Sequence, residues 1–261
     1  MELDEIIWNV KKDSIKKIVE SGKRADGRKS DEYRKIELTP DYAQKAEGSC
    51  LIKLGNTQAL VGVKLNVGEP YPDQPDKGVL ITNSELAPLA SPMFKSGPPR
   101  EESIEVSRVV DRGIRESGMI ELDKLCIEEG EKVWMVFVDI HALDYDGNLF
   151  DAASIAAVKA LLSTKLPKYE DDKVVRDEFK GKLPVALKPV SATFAKINSH
   201  NLLDPALEEQ KILDARMTIV TEDKGDICAM QKGGNGSYTA KEITGLVDIA
   251  IDKAKDVRKL Y

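Results

Sequence analysis

Ala59, Val61, Val63, Leu65 and Val67 recur at every second position, the period of a strand with one buried face. A second strand is expected just before them at Ser49–Leu54, and Gly55-Asn56-Thr57 between the two reads as a hairpin turn. Val79–Ala87 and Val133–Leu143 are further strand candidates, while Glu69–Lys77, rich in Pro and Asp, reads as a loop. Helical spacing governs other stretches. Leu3, Ile6, Ile7 and Val10 predict an amphipathic helix over residues 3 to about 20, ended by Gly22. A basic, polar linker follows from Lys23 to Lys29. Gly97-Pro98-Pro99 breaks the chain before a helix expected from Glu101 to Ser117, with Gly118 just past its end. Ala152–Leu162 is apolar nearly all round, which predicts a central helix buried on most faces, with Asp151 as its cap.

Residues 167–183 are polar and charged and read as a linker or an exposed excursion. Strands resume over Val185–Ile197, a turn falls at Asn198–Asn201, and Pro205–Gln210 suggests a short helical turn. Arg216–Thr221 and Ile227–Lys232 should pair as a hairpin, followed by a loop at Gly233–Gly236. Thr239-x-x-Glu242 is a capping box that opens a C-terminal helix with the stripe Ile243, Leu246, Val247, Ala250, Ala254 and Val257. The element order implies an α+β chain of two similar lobes with N- and C-terminal helices. The expected division is a helix and linker over 1–30, a first lobe over 31–168 and a second over 169–261. No internal repeat is visible at the level of sequence.

Composition narrows the function. Hydrophobic residues make up 41% of the 261 and charged residues 32%, so the chain has the material for a folded core. Its net charge is −6, so any contact with nucleic acid must run through a local basic patch or a partner. No apolar run approaches the roughly 20 residues that span a bilayer, and the first 20 residues lack a signal-peptide core. A cytoplasmic protein with no membrane partner is expected. Cys50, Cys126 and Cys228 lie far apart with no C-x-x-C pair, which argues against a disulfide framework or a zinc site. His141 sits in an apolar run and is expected in the core; His200 falls in the predicted turn.

The candidate chemistry lies on the helix after Arg100. Val106, Val109, Val110, Gly113, Ile114 and Ser117 share one side, and Arg108, Arg112 and Arg115 fall roughly opposite. Guanidiniums so spaced can follow successive phosphates of a single strand, and Arg100 could add a fourth contact. The alternative is a solvated charged face, with Glu105–Arg108 and Asp111–Arg115 as ordinary intrahelical pairs. Gly233–Gly236 lacks the Lys-Ser/Thr of a P-loop and reads as structural. Asp144 and Asp146 could hold a divalent ion, though two carboxylates in a turn are common.

Several segments together resemble one family. Arg24-Ala25-Asp26-Gly27-Arg28 followed by Glu32-Tyr33-Arg34 is similar to the R-x-D-G-R … E-x-R opening of RNase PH-type proteins. Gly55-Asn56-Thr57 resembles their G-[ND]-T turn, and Arg100-Glu101 with Ile104–Arg108 resembles their RNA-contacting segment. Val138–Gly147 and Leu183-Pro184-Val185-Ala186 also follow the family pattern, so the likeness runs from Arg24 to about Gly245. Within the family, Arg108–Arg115 and Val133-Trp134 before Asp139 look most like the non-catalytic subunit of the archaeal exosome. The resemblance implies an RNase PH-like fold (ribosomal protein S5 domain 2-like) of two βαβα-type lobes. It implies a 3:3 ring with a catalytic RNase PH-like partner, RNA-binding cap subunits, and single-stranded RNA degraded 3′ to 5′ with phosphate. It also implies Arg100, Arg108, Arg112 and Arg115 as RNA-binding residues, with no cofactor and no metal.

Two departures set this chain apart from active members of the family. Those hold the attacking phosphate with a D-G-G-[ST]-R pattern at the start of the central helix, where free N–H groups favour an anion. Here the segment reads Asp146-Gly147-Asn148-Leu149-Phe150-Asp151, without the hydroxyl or the arginine, and Asp151 is expected to repel phosphate. Active members also carry an aspartate just before the [ML]-P-V-A run, where this chain has Lys182. A lysine cannot coordinate a metal; it is either a phosphate contact or a solvated surface residue. No catalytic residue is therefore assigned. The alternative is a phosphorolytic 3′-5′ exoribonuclease active in its own right.

Overall fold

The computed structural model describes residues 3–261, with side chains described from Lys11 onward. Helix α1 (Leu3–Glu20) has the predicted span. The side chains of Leu3, Ile6, Ile7 and Val10, whose spacing predicts it, lie outside the described ones. Its second half buries Ile15 and Val19 against Ile197, Leu202 and Ile212.

The first sheet combines β1 (Ile36–Pro40), β2 (Gly48–Leu54), β3 (Thr57–Gly68), β4 (Val79–Leu86), β5 (Cys126–Glu128) and β6 (Lys132–Asp144). Its order is β1-β2-β3-β6-β4, with β5 beside β6. All pairs are antiparallel except β4 with β6. The alternation along β3 has the predicted meaning: Ala59, Val61, Val63 and Leu65 are completely buried. The same period corrects one expectation. Val136, Val138, Ile140 and Ala142 of β6 point inward, so His141 points out, with Nδ1 3.2 Å from Glu85. His141 is a surface residue despite its apolar neighbours.

Helix α2 (Glu101–Glu116) packs on β4, and α3 (Leu149–Ser163) lies on β2 and β3. The opposite side of α3 meets β9 (Val190–Ile197) of a second sheet. A helix between two sheets has no wet face, hence its all-round apolar sequence. The second sheet adds β10 (His200–Leu203), β11 (Ala215–Thr221) and β12 (Ile227–Gly234), in the antiparallel order β10-β9-β11-β12. The short α4 (Leu207–Ile212) follows β10. The long α5 (Ala240–Arg258) covers β9 and β11, capped reciprocally by Thr239 and Glu242 as predicted.

The polar stretch 167–183 is the exposed excursion rather than a linker. It forms most of a hairpin, β7 (Lys165–Glu170) with β8 (Lys173–Lys182). Asp171 and Asp172 close it with φ of 49° and 58°, the left-handed pair a two-residue turn needs. Tyr169 meets Trp134 edge-on at 6.2 Å, and Arg176 donates to Glu47. With both strands largely exposed, no apolar alternation marks them in the sequence. Gly233 and Gly234 likewise end β12 rather than forming a loop.

Candidate nucleic-acid interface

Helix α2 places its arginines as the spacing predicts, in unequal states. Ser103, Val106, Val109, Val110, Gly113 and Ile114 are buried, while Arg100, Arg108 and Arg115 are exposed and Arg112 is half-buried. Arg115 is tied down: it donates twice to Asp111, at 3.0 Å each, and to the Leu80 carbonyl at 3.0 Å. That carboxylate holds the Arg115 guanidinium above its ordinary pKa. Arg112 donates to Gln231 of β12 at 3.1 Å. The Arg108 side chain has no hydrogen-bond or ion-pair partner among the described residues, nor has that of Arg100. The expected Glu105–Arg108 pair does not form, because Glu105 binds Arg216 of β11 instead. Ser107, Arg108, Arg112 and Arg115 line one depression with Thr82, Asp111 and Glu116. Cationic forks and a hydroxyl around an open trough suit a phosphate backbone.

The start of α3 is a second, different environment. Asn148, not Asp151, is the cap: its φ is 50° and its side chain accepts from the Asp151 amide. Asp151 lies in the first turn, turned inward and completely buried. It accepts from Asn148 Nδ2 at 2.8 Å, from Thr193 N at 2.9 Å and Oγ1 at 2.7 Å, and from the Tyr33 hydroxyl at 3.3 Å. Its carboxylate therefore joins α3 to β9 rather than facing an incoming anion. The second amide hydrogen of Asn148 goes to Asp204 at 2.7 Å.

Asp204 explains the arginine motif, which sequence reasoning left without a structural role. Arg34 grips it through Nε at 2.9 Å, Nη2 at 2.8 Å and its own backbone N–H at 2.9 Å. Arg28 adds a contact at 3.0 Å. Arg24 makes a buried two-pronged pair with Glu209 at 2.9 and 2.5 Å and donates to the Leu203 and Asp204 carbonyls. The motif thus fastens the N-terminal segment to the second sheet and α4. Gly55 belongs to the same device, since a Cβ there would lie 2.6 Å from the Arg34 side chain. Thr57 accepts from the Asp146 amide and donates to the Gly147 carbonyl at 2.6 Å. Asp146 also accepts from Asn56 at 3.1 Å and faces Arg34, while Asp144 is exposed. Among the described residues, no three His, Cys, Asp or Glu side chains come together as a metal would require. Lys182 is exposed at the end of β8, opposite Lys165.

The fold, the arginine trough and the motif chemistry define one class of protein, and comparison with known families agrees. The chain belongs to the 3′ exoribonuclease family, matching its domain 1 over residues 32–167 and its domain 2 over 189–253. It is 53% identical to the exosome complex component Rrp42 of Methanothermobacter thermautotrophicus, over 95% of this chain and 93% of that one. A chain in the structure of the Archaeoglobus fulgidus exosome with RNA bound to the active site superposes with a TM-score of 0.92. It is 49% identical, covering 97% of this chain and 98% of its own. A chain of an archaeal exosome core gives 0.89 at 46% identity, covering 99% and 98%. No helix among the described residues is long and apolar enough to cross a membrane.

Proposed function

We propose that this chain is the non-catalytic subunit of an archaeal-type exosome ring, a cytoplasmic 3:3 assembly with a catalytic RNase PH-like partner. Its relatives carry the exosome component name over nearly their full length, and two archaeal exosome chains share its fold closely. One observation carries the non-catalytic part. The N-terminal turn of α3 holds Asn148, the buried Asp151 and the neighbouring Asp204, with neither hydroxyl nor arginine in the turn to bind an attacking phosphate. The Asn148 and Asp151 amides are already taken, by the Gln210 and Asn148 side chains, so they do not receive the anion that a helix end would otherwise favour.

On this reading α2 does the chain's share of the work. Arg108, with Arg100, Arg112 and Arg115 beside it, holds the RNA backbone while the partner supplies the phosphorolytic chemistry and cap subunits deliver the strand. Phosphate contacts position a strand without reading its bases, so the contribution is independent of sequence. The test is phosphate-dependent release of nucleoside diphosphates from a 3′-end-labelled RNA. The purified chain alone should release none, and activity should appear on adding the catalytic partner. Robust phosphorolysis by the chain alone, lost on mutating its own α3 turn, would establish the alternative of an enzyme in its own right.

A further inference from the structure

The two carboxylates three residues from Arg108 are both engaged by other side chains. On a helix, a side chain meets its neighbours three and four positions away. For Arg108 those are Ile104, Glu105, Asp111 and Arg112. Asp111 is held by Arg115 and by the Thr82 hydroxyl of β4, at 3.2 Å. Glu105 is held by Arg216, which comes from β11 in the other sheet.

The socket for Arg216 is specific. Its guanidinium carbon lies 4.0 Å from the centroid of the Phe150 ring, a cation–π stack that fixes the plane of the fork. Gly233 on the adjoining strand gives it room, since a Cβ there would stand 2.7 Å from Nη2. The side chain is 12% exposed, and its Nε makes no hydrogen bond. On the same adjoining strand, Gln231 accepts a hydrogen bond from Arg112. Glu105, Arg108, Arg112 and Gln231 line a single depression, so the second sheet arranges the charges of a helix that belongs to the first.

We infer that Arg216 is a positioning residue for RNA: by drawing Glu105 onto β11 it keeps Arg108 unpaired and open to a phosphate. This rests on the reading that α2 binds RNA. Without Arg216, Glu105 swings to Arg108 at i+3. The fork is then shared between a carboxylate and a phosphate, and the trough gains an uncompensated negative charge.

The experiment is a double-mutant cycle in the ring reconstituted with the catalytic partner. Binding of a short 5′-fluorescein oligoadenylate is followed by anisotropy across a salt series, with thermal melts for every variant. Arg216→Met should weaken binding about two- to threefold, the scale of one helical ion pair plus its competition for the phosphate. Its log–log salt slope should shrink by up to about 0.7, one single-strand contact. In an Arg108→Ala background, Arg216→Met should have no further effect, and Glu105→Gln with Arg216→Met should restore binding. An equal loss in both backgrounds would mean that Arg216 acts as a distant charge, and would overturn the inference. So would unchanged binding in folded Arg216→Met. If Arg216→Met does not fold, Glu105→Ala serves: it should leave the Arg108 contribution intact, and loss of that contribution counts against the inference. Arg108→Ala binding like wild type would instead overturn the reading of α2 as an RNA face.

Discussion

Asp151 and Asp204 are bridged by one amide, that of Asn148, yet burial and their partners leave them in opposite states. Burial pushes the Asp151 carboxyl up to about 6, against the hydrogen bonds of Asn148 and Thr193. Burial works to raise Asp204 too, but the hydrogen bonds and charge of Arg34 outweigh it and hold that carboxyl below the ordinary aspartate value. Beside Asp151, the Tyr33 hydroxyl is raised well above its usual range, by burial first and by the Asp151 charge next. The sign for stability follows from proton binding. Between the unfolded value near 3.8 and about 6 the folded state binds more protons at Asp151. Stability at this site is therefore greatest at low pH and falls as pH rises through that window. A displacement of roughly two units corresponds to about 3 kcal/mol. Asp204 has the opposite sign: its contribution is present above the ordinary value and is lost as pH falls below it. Asp151→Asn removes the titrating group while an amide can still meet the Thr193 hydroxyl. The variant should gain on wild type by up to about 3 kcal/mol between pH 4 and pH 6.5 in guanidinium unfolding. Parallel stability curves would show that Asp151 does not titrate there. Gly147 is a second single-residue test. Its φ is 86°, and a Cβ would lie 2.5–2.6 Å from the backbone of Pro205–Leu207. Gly147→Ala should cost more than the ~1–2 kcal/mol of left-handed strain alone, read as a lowered melting temperature.

On helix α2 the arginines divide by what already holds them. Arg108 is exposed with no side-chain partner among the described residues, Arg112 is half-buried on Gln231, and Arg115 is clamped to Asp111 and the Leu80 carbonyl. Substituting Arg108 with Ala should therefore cost little stability, within about 0.5 kcal/mol for an exposed site, and most in RNA affinity. Arg115→Ala should do the reverse, because it removes the guanidinium that donates to the Leu80 carbonyl and breaks the ion pair with Asp111. The double Arg108→Ala, Arg112→Ala ring should lose roughly 0.7 in salt slope per broken contact, equally for different RNA sequences. An unchanged slope would make this helix face a solvated surface. The helix itself is plain in the sequence, since its stripe and its arginines recur at helical period; it starts at the expected Glu101 and ends at Glu116, one residue before the expected Ser117, which caps it. What local spacing does not contain is the partner from another element. Glu105–Arg108 is the natural pair three residues apart, and Arg216, 111 residues away, takes Glu105 instead. The cap of α3 follows the same logic. Asp151 is a good capping residue by type, but Thr193 of β9 claims its carboxylate and leaves the cap to Asn148. Asp204 and Glu209 carry no motif of their own, and only their arginine partners, some 170 to 185 residues earlier, reveal them. The β7–β8 hairpin stayed hidden because exposed strands carry no hydrophobic period and aspartates stand at its left-handed turn.

The whole molecule leaves surface that a self-sufficient monomer would cover. Leu89 is 80% exposed on the loop before α2, Met93 and Ile104 are exposed near it, and Ile227 and Met230 are exposed on β12. β12 lies at the edge of its sheet, with a row of unpaired backbone groups. Apolar side chains beside an open edge are the usual marks of a subunit interface. On the proposed function the arginine trough points the same way, because it assigns RNA to Arg108 and Arg100 while the chain's own α3 turn has neither the hydroxyl nor the arginine expected of a phosphate site. A protein that binds substrate without a catalytic site of its own needs a catalytic neighbour close enough to share the strand. Mixed with that partner, the chain should assemble as three copies of each, measured by native mass spectrometry. By mass action the assembly should also melt above either component alone, by a margin that grows with protein concentration. Native masses showing only the free chain at micromolar concentrations of both components, or a melting temperature that the partner does not move, would remove the ring from the account and leave a monomeric RNA-binding protein.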